Sequence, residues 1–137
     1  MREIHAYLNF DGNCREAMTF YQQCLGGELH VMTFGEGQPD SPPETKDRVI
    51  HARLTKERAM LMASDTMPGM PFRQGTNVWL SLDCESAEEV DSLYAALAEG
   101  GNGTMPPHDS FWGARFAMLT DRFGTNWMFN HEKAEQH

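Results

Sequence analysis

Tyr7-Leu8-Asn9-Phe10-Asp11 returns 72 positions later as Trp79-Leu80-Ser81-Leu82-Asp83. Both read as strand ends, with side chains alternating between two faces. Each is followed by a helix start: Asn13 with Glu16 three residues on, and Ser86 with Glu89 at the same spacing. A cap oxygen that accepts from an orphan amide, with a Glu reaching back, is a capping box, so two are predicted.

The likeness continues outward from these starts. Ala17, Phe20, Tyr21, Cys24 and Leu25 fall on one helical face, as do Val90, Leu93, Tyr94 and Leu97. Both helices are predicted to stop at glycine pairs, Gly26-Gly27 and Gly100-Gly101, since glycine tolerates the left-handed conformation that ends a helix. His51-Ala52-Arg53-Leu54-Thr55-Lys56 then matches Phe116-Ala117-Met118-Leu119-Thr120-Asp121, each leading to a last apolar strand, Met60 to Ala63 and Trp127 to Asn130. The expected order is strand, helix and three strands, twice. That is an α+β fold of two βαβββ modules, about 1–68 and 76–131, in a single domain spanning 1–137. A ferredoxin-like barrel dimer is the main competitor. Gly35 to Lys46 and Asp65 to Asn77, rich in Pro, Gly and acidic residues, are expected to be mobile loops.

Bulk properties narrow the function. With 137 residues and 40% hydrophobic content the chain has material for one ordered core. A net charge of -9 without a Lys or Arg run repels phosphate backbones and anionic lipid, so neither nucleic acid nor membrane is an expected partner. Neither a signal peptide nor a membrane-span pattern is present, which predicts a cytoplasmic protein. Cys14, Cys24 and Cys84 form no CxxC pair and are expected to be reduced thiols. Ser-His-Asp spacing, GxSxG, GxGxxG and the P-loop are all missing, which leaves hydrolase, dinucleotide and NTP chemistry without a motif.

Phe10-Asp11-Gly12-Asn13-Cys14-Arg15-Glu16-Ala17, Phe20-Tyr21 and Leu25-Gly26-Gly27 resemble the opening of PhnB-like proteins, a subfamily of the vicinal-oxygen-chelate superfamily of glyoxalases, bleomycin-resistance proteins and dioxygenases. Ala63-Ser64-Asp65, Phe111-Trp112-Gly113, Thr120-Asp121-Arg122-Phe123-Gly124 and Trp127 resemble the rest of that pattern. The resemblance implies paired modules curled into a glyoxalase-like curved-sheet cup, usually completed by a second subunit, so a homodimer is expected. It also implies four metal-ligand positions on the first and last strands of the modules, here His5, Met62, Asn77 and Met128. Thioethers and an amide suit a hard divalent ion poorly, so no metal and no cofactor are expected.

The residues then support two functions. One is binding of a small apolar or aromatic molecule by His5, His51, Met62, Asn77, Trp79, Trp112 and Met128, without the full metal site. The alternative is a metal-dependent lyase, isomerase or dioxygenase using His5 and His51, with His51 as the candidate base. Plain structural roles compete at each position: a hydrogen-bonded strand histidine for His5 or His51, core packing for Trp79, and core or dimer closure for Phe111 and Trp112. Glu85, Glu88, Glu89 and Asp91 are read as a solvated helix face.

Overall fold

The computed structural model describes residues 1–133. Two compact units meet in sequence at Arg73 and Gln74. In the first, β1 (Ala6–Phe10) leads into α1 (Cys14–Leu25), then β2 (Glu28–Thr33), a short α2 (Phe34–Gly37), β3 (Val49–Lys56) and β4 (Ala59–Asp65). The second runs β5 (Leu80–Asp83), α3 (Ala87–Ala98), β6 (Asn102–Asp109), β7 (Ala114–Thr120) and β8 (Asn126–Glu132). The expected βαβββ order therefore occurs in both units. Their sheets also share one topology, β1-β4-β3-β2 and β5-β8-β7-β6, in which the first strand runs parallel to the last and the other pairs are antiparallel.

Each unit is a helix on one face of a sheet. Cys14, Ala17, Met18 and Tyr21 give α1 its buried stripe, at i, i+3, i+4 and i+7. Of the expected face Ala17, Phe20 and Tyr21 are buried, while Cys24 and Leu25 are only half-buried. The stripe meets Phe10, Ala52, Leu54, Leu61 and Ala63, the buried alternate residues of the strands. In the second unit Val90 and Leu97 of α3 are buried along with Ala117, Leu119, Trp127 and Phe129. Burying a large apolar side chain contributes about 1.5–3 kcal/mol, so these two small cores carry most of each unit's stability.

Of the two predicted capping boxes, one is absent and the other forms only its N-cap half. Asn13 makes no side-chain cap hydrogen bond. The buried carboxylate of Asp65, at the end of β4, does that work instead: its Oδ1 accepts from the amides of Gly12 (2.8 Å) and Cys14 (3.0 Å), and its Oδ2 accepts from Val49 N (2.8 Å). A tertiary acceptor has displaced the local one because it satisfies three amides at once. At α3 the expected cap forms, with Ser86 Oγ accepting from Glu89 N at 3.0 Å, while Glu89 Oε1 accepts from Glu85 N one residue before the cap.

The stretch Gly35 to Lys46 also differs from expectation, since it contains two short helical turns, α2 and a 3-10 turn at Pro43–Thr45. A capping box with the same three-residue spacing holds α2: Glu36 N donates to Thr33 Oγ1, and the Glu36 carboxylate accepts from the Thr33 amide and hydroxyl. The amide donation holds the Glu36 carboxyl below its ordinary range. Phe34 and Thr45 are buried, which anchors this segment on its unit. Asp65 to Asn77 has no regular element after the end of β4.

Candidate functional site

Strand alternation gives each sheet a second face, turned away from its helix. In the first unit Tyr7 and Asn9 of β1, Met62 and Ser64 of β4, His51 and Arg53 of β3, and His30 and Met32 of β2 lie there. Register sets their neighbours: His30 pairs with Arg53, Arg53 with Met62, and Met62 with Tyr7. The Tyr7 ring crosses β4 to reach His51, with its hydroxyl 3.2 Å from His51 Nδ1 and the ring centroids 5.8 Å apart.

The second unit's open face is softer. Met105 pairs with Met118 and Met118 with Met128, which in turn pairs with Ser81, so three thioethers form one row across β6, β7 and β8. Beside that row Phe116 packs edge-on against Trp112 (centroids 5.4 Å) and His108 (6.2 Å), and Trp112 packs edge-on against Phe111 (5.0 Å). Phe111 is 98% exposed and Trp112 51% exposed, so the pair does not close the core.

The sequence candidates fall out as follows. His51 and Met62 share the first unit's open face, linked by Tyr7. His5 sits just before β1, its Nε2 2.7 Å from Glu3 Oε2. Met128 lies in the thioether row and Trp112 in the aromatic ladder. Asn77 lies in a bend ahead of β5 and is exposed. Trp79 also precedes β5, and its indole N–H donates to Thr76 O at 2.9 Å, closing a local turn. Tyr7, Arg53, Met105, Met118 and Phe116 escaped the sequence reading. Tyr7 shares the strand parity of His5, a signal that was available; the others needed cross-strand register.

Register relates Met62 and Met128 differently on their two neighbouring strands. Met62 pairs with Tyr7, whereas Met128 pairs with Ser81, the repeat counterpart of Asn9, and Asn9 pairs with Ser64. On their other side Met62 pairs with Arg53 and Met128 with Met118, which are repeat counterparts, so the two methionines match across β3 and β7 and only the pairing with the first strand is offset, by two residues.

Other ionisable groups have structural work. Burial first, then the Asp65 carboxylate, pushes the Cys14 thiol up to about 12, and burial pushes Cys84 to about 11. Cys14, Cys24 and Cys84 are thiols outside any disulfide. Asp91, read as part of a solvated face, receives a two-pronged contact from Arg115, Nε to Oδ1 at 3.0 Å and Nη2 to Oδ2 at 3.2 Å. Asp121, buried, accepts from Phe123 N, Thr125 N and Trp127 Nε1 and shapes the β7–β8 turn. No helix among the described residues is long and apolar enough to cross a membrane.

Comparison with known proteins agrees with this architecture. Protein PA1353 from Pseudomonas aeruginosa is 45% identical, with a TM-score of 0.86 over 96% of this chain and 98% of its own. A putative 3-demethylubiquinone-9 3-methyltransferase, PhnB protein, from Bacillus cereus is 27% identical, with a TM-score of 0.77 over 95% and 99%. A glyoxalase/bleomycin resistance protein/dioxygenase family enzyme from Burkholderia phytofirmans, 20% identical with a TM-score of 0.64 over 93% and 98%, shares the fold. Protein YjdN from Escherichia coli is 33% identical over 96% of this chain and 97% of its own length. A family model described as 3-demethylubiquinone-9 3-methyltransferase matches residues 2–129, and with these relatives it shows that the chain belongs to that PhnB-like family.

Proposed function

We propose that this PhnB-like protein binds a small, largely apolar or aromatic molecule against its open sheet faces, without the full metal site of its metal-using relatives. The observation that carries this is the row Met105, Met118 and Met128 beside the Phe116–Trp112 ladder. Thioethers adapt to irregular apolar shapes and aromatic edges grip flat ones, so this face suits a ligand better than it suits solvent. The donors at the four family positions fit a hard divalent ion poorly. Two are thioethers, one is an amide, and the imidazole of His5 already faces Glu3. The family description names a methyl transfer, but no residue on either open face favours that reaction over binding alone.

Titration of intrinsic Trp fluorescence with a panel of aromatic compounds tests the reading. Saturable binding is expected, weakened roughly threefold to tenfold by Trp112→Ala and abolished by Met128→Glu in a variant that stays folded. No saturable binding by the wild type, with strong destabilisation by Met128→Glu, would mean a face packed shut and would end this reading. Elemental analysis of protein purified without an affinity tag is expected to find no stoichiometric zinc or nickel.

The Tyr7–His51 contact favours a second reading, an enzyme of the same superfamily in which His51 moves a proton and His5 helps hold a metal. One metal per chain that disappears with His5→Ala would select it.

A further inference from the structure

Arg53 stands at the middle of the first unit's open face, between His30 on β2 and Met62 on β4. It is the one Lys or Arg on that face, and among the described residues it makes no ion pair, although the chain carries 20 acidic residues. Of the nearby carboxylates, Glu28 lies 3.7 Å from His30, an ion pair only when that imidazole is protonated, and its partner is His30 and not Arg53. By contrast Arg48 and Arg115 each have an aspartate partner. A guanidinium offers five N–H donors in a planar fork that matches a carboxylate two bonds at a time.

Two residues from Arg53 on the same strand face, His51 is held through Nδ1 by the Tyr7 hydroxyl. In the tautomer whose Nδ1 accepts from the phenol, the ring proton sits on Nε2 and the imidazole has a second donor to offer an anion. The half-buried Met62 lies between Tyr7 and Arg53 in register and supplies a soft floor.

We infer that Arg53, with His51 oriented by Tyr7, binds the carboxylate of an organic acid on the first unit's open face, with Met62 under the acid's apolar body. This rests on the small-molecule reading above and adds the ligand's charge. Arg53 and His51 would touch the carboxylate, and Tyr7 is a positioning residue acting through His51.

Naphthoate and its neutral amide, titrated separately and followed by backbone amide shifts of the full chain, test it. The wild type is expected to prefer the acid by about tenfold, the worth of one charge-assisted contact, and to lose that preference as salt is raised. Arg53→Gln should remove the preference, bringing the affinities for acid and amide together. Tyr7→Phe should reduce the acid-to-amide ratio, a quantity that a purely structural role for Tyr7 would leave alone. Equal affinity of the wild type for acid and amide would overturn the anion inference while the apolar-binding reading stands. Binding of neither would overturn both.

Discussion

A buried aspartate does in this chain what the nearby sequence was expected to do. Asp65, 5% exposed, accepts three backbone amides and joins the start of α1 to the start of β3. Asp65→Ala would leave those donors unmatched, and a loss of about 3 kcal/mol or more is expected in urea unfolding, against a change within about 1 kcal/mol for Asn13→Ala. The same carboxylate helps to keep Cys14 neutral. An unfolded thiol titrates near 9.0 and the folded one at about 12, so the folded state holds its proton more tightly. That preference is fully present below pH 9 and is lost as pH climbs towards 12. Stability should therefore fall over that window, and Cys14→Ala should flatten part of the slope, leaving the share due to Cys84, whose thiol titrates at about 11. Denaturation midpoints measured at neutral and alkaline pH for both proteins check this.

At the scale of elements, the turn from helix to next strand is built alike in both units. A β-carbon on Gly27 would lie 2.4 Å from Thr55 O, and one on Gly101 would lie 2.6 Å from Thr120 O. Thr55 and Thr120 are repeat counterparts, so the internal likeness extends to a backbone contact. Gly27 carries the added burden of a φ of +97°, which side-chain-bearing residues rarely adopt. Gly27→Ala should cost about 2–4 kcal/mol and Gly101→Ala somewhat less, measured by thermal or urea unfolding. Strand and helix order was legible because periods of 2 and 3.6 are local properties. The α2 turn was not, since Thr33 and Glu36 cap it inside a stretch whose glycines, prolines and acids read as a loop.

For the whole molecule, each sheet has two edges with no strand partner in its own sheet, β1 and β2 in the first unit, β5 and β6 in the second. Pro106 and Pro107 guard β6 by removing amide donors. The remaining edges are the ground for proposing a homodimer, and light scattering in dilute solution should give about twice the 15.5 kDa of one chain. A mass of one chain would refute it. The two-module plan, the helix faces and the glycine stops follow from the sequence itself, because each depends on residues a few positions apart. Only the tertiary structure decided that Asp65 caps α1, that Tyr7 reaches His51, that Met105, Met118 and Met128 form one row, and that β5 pairs with β8 two positions out of step with β1 on β4. Those are facts of register and of contact between distant residues, and a shift of two positions along a strand keeps the same alternation of faces while changing every neighbour.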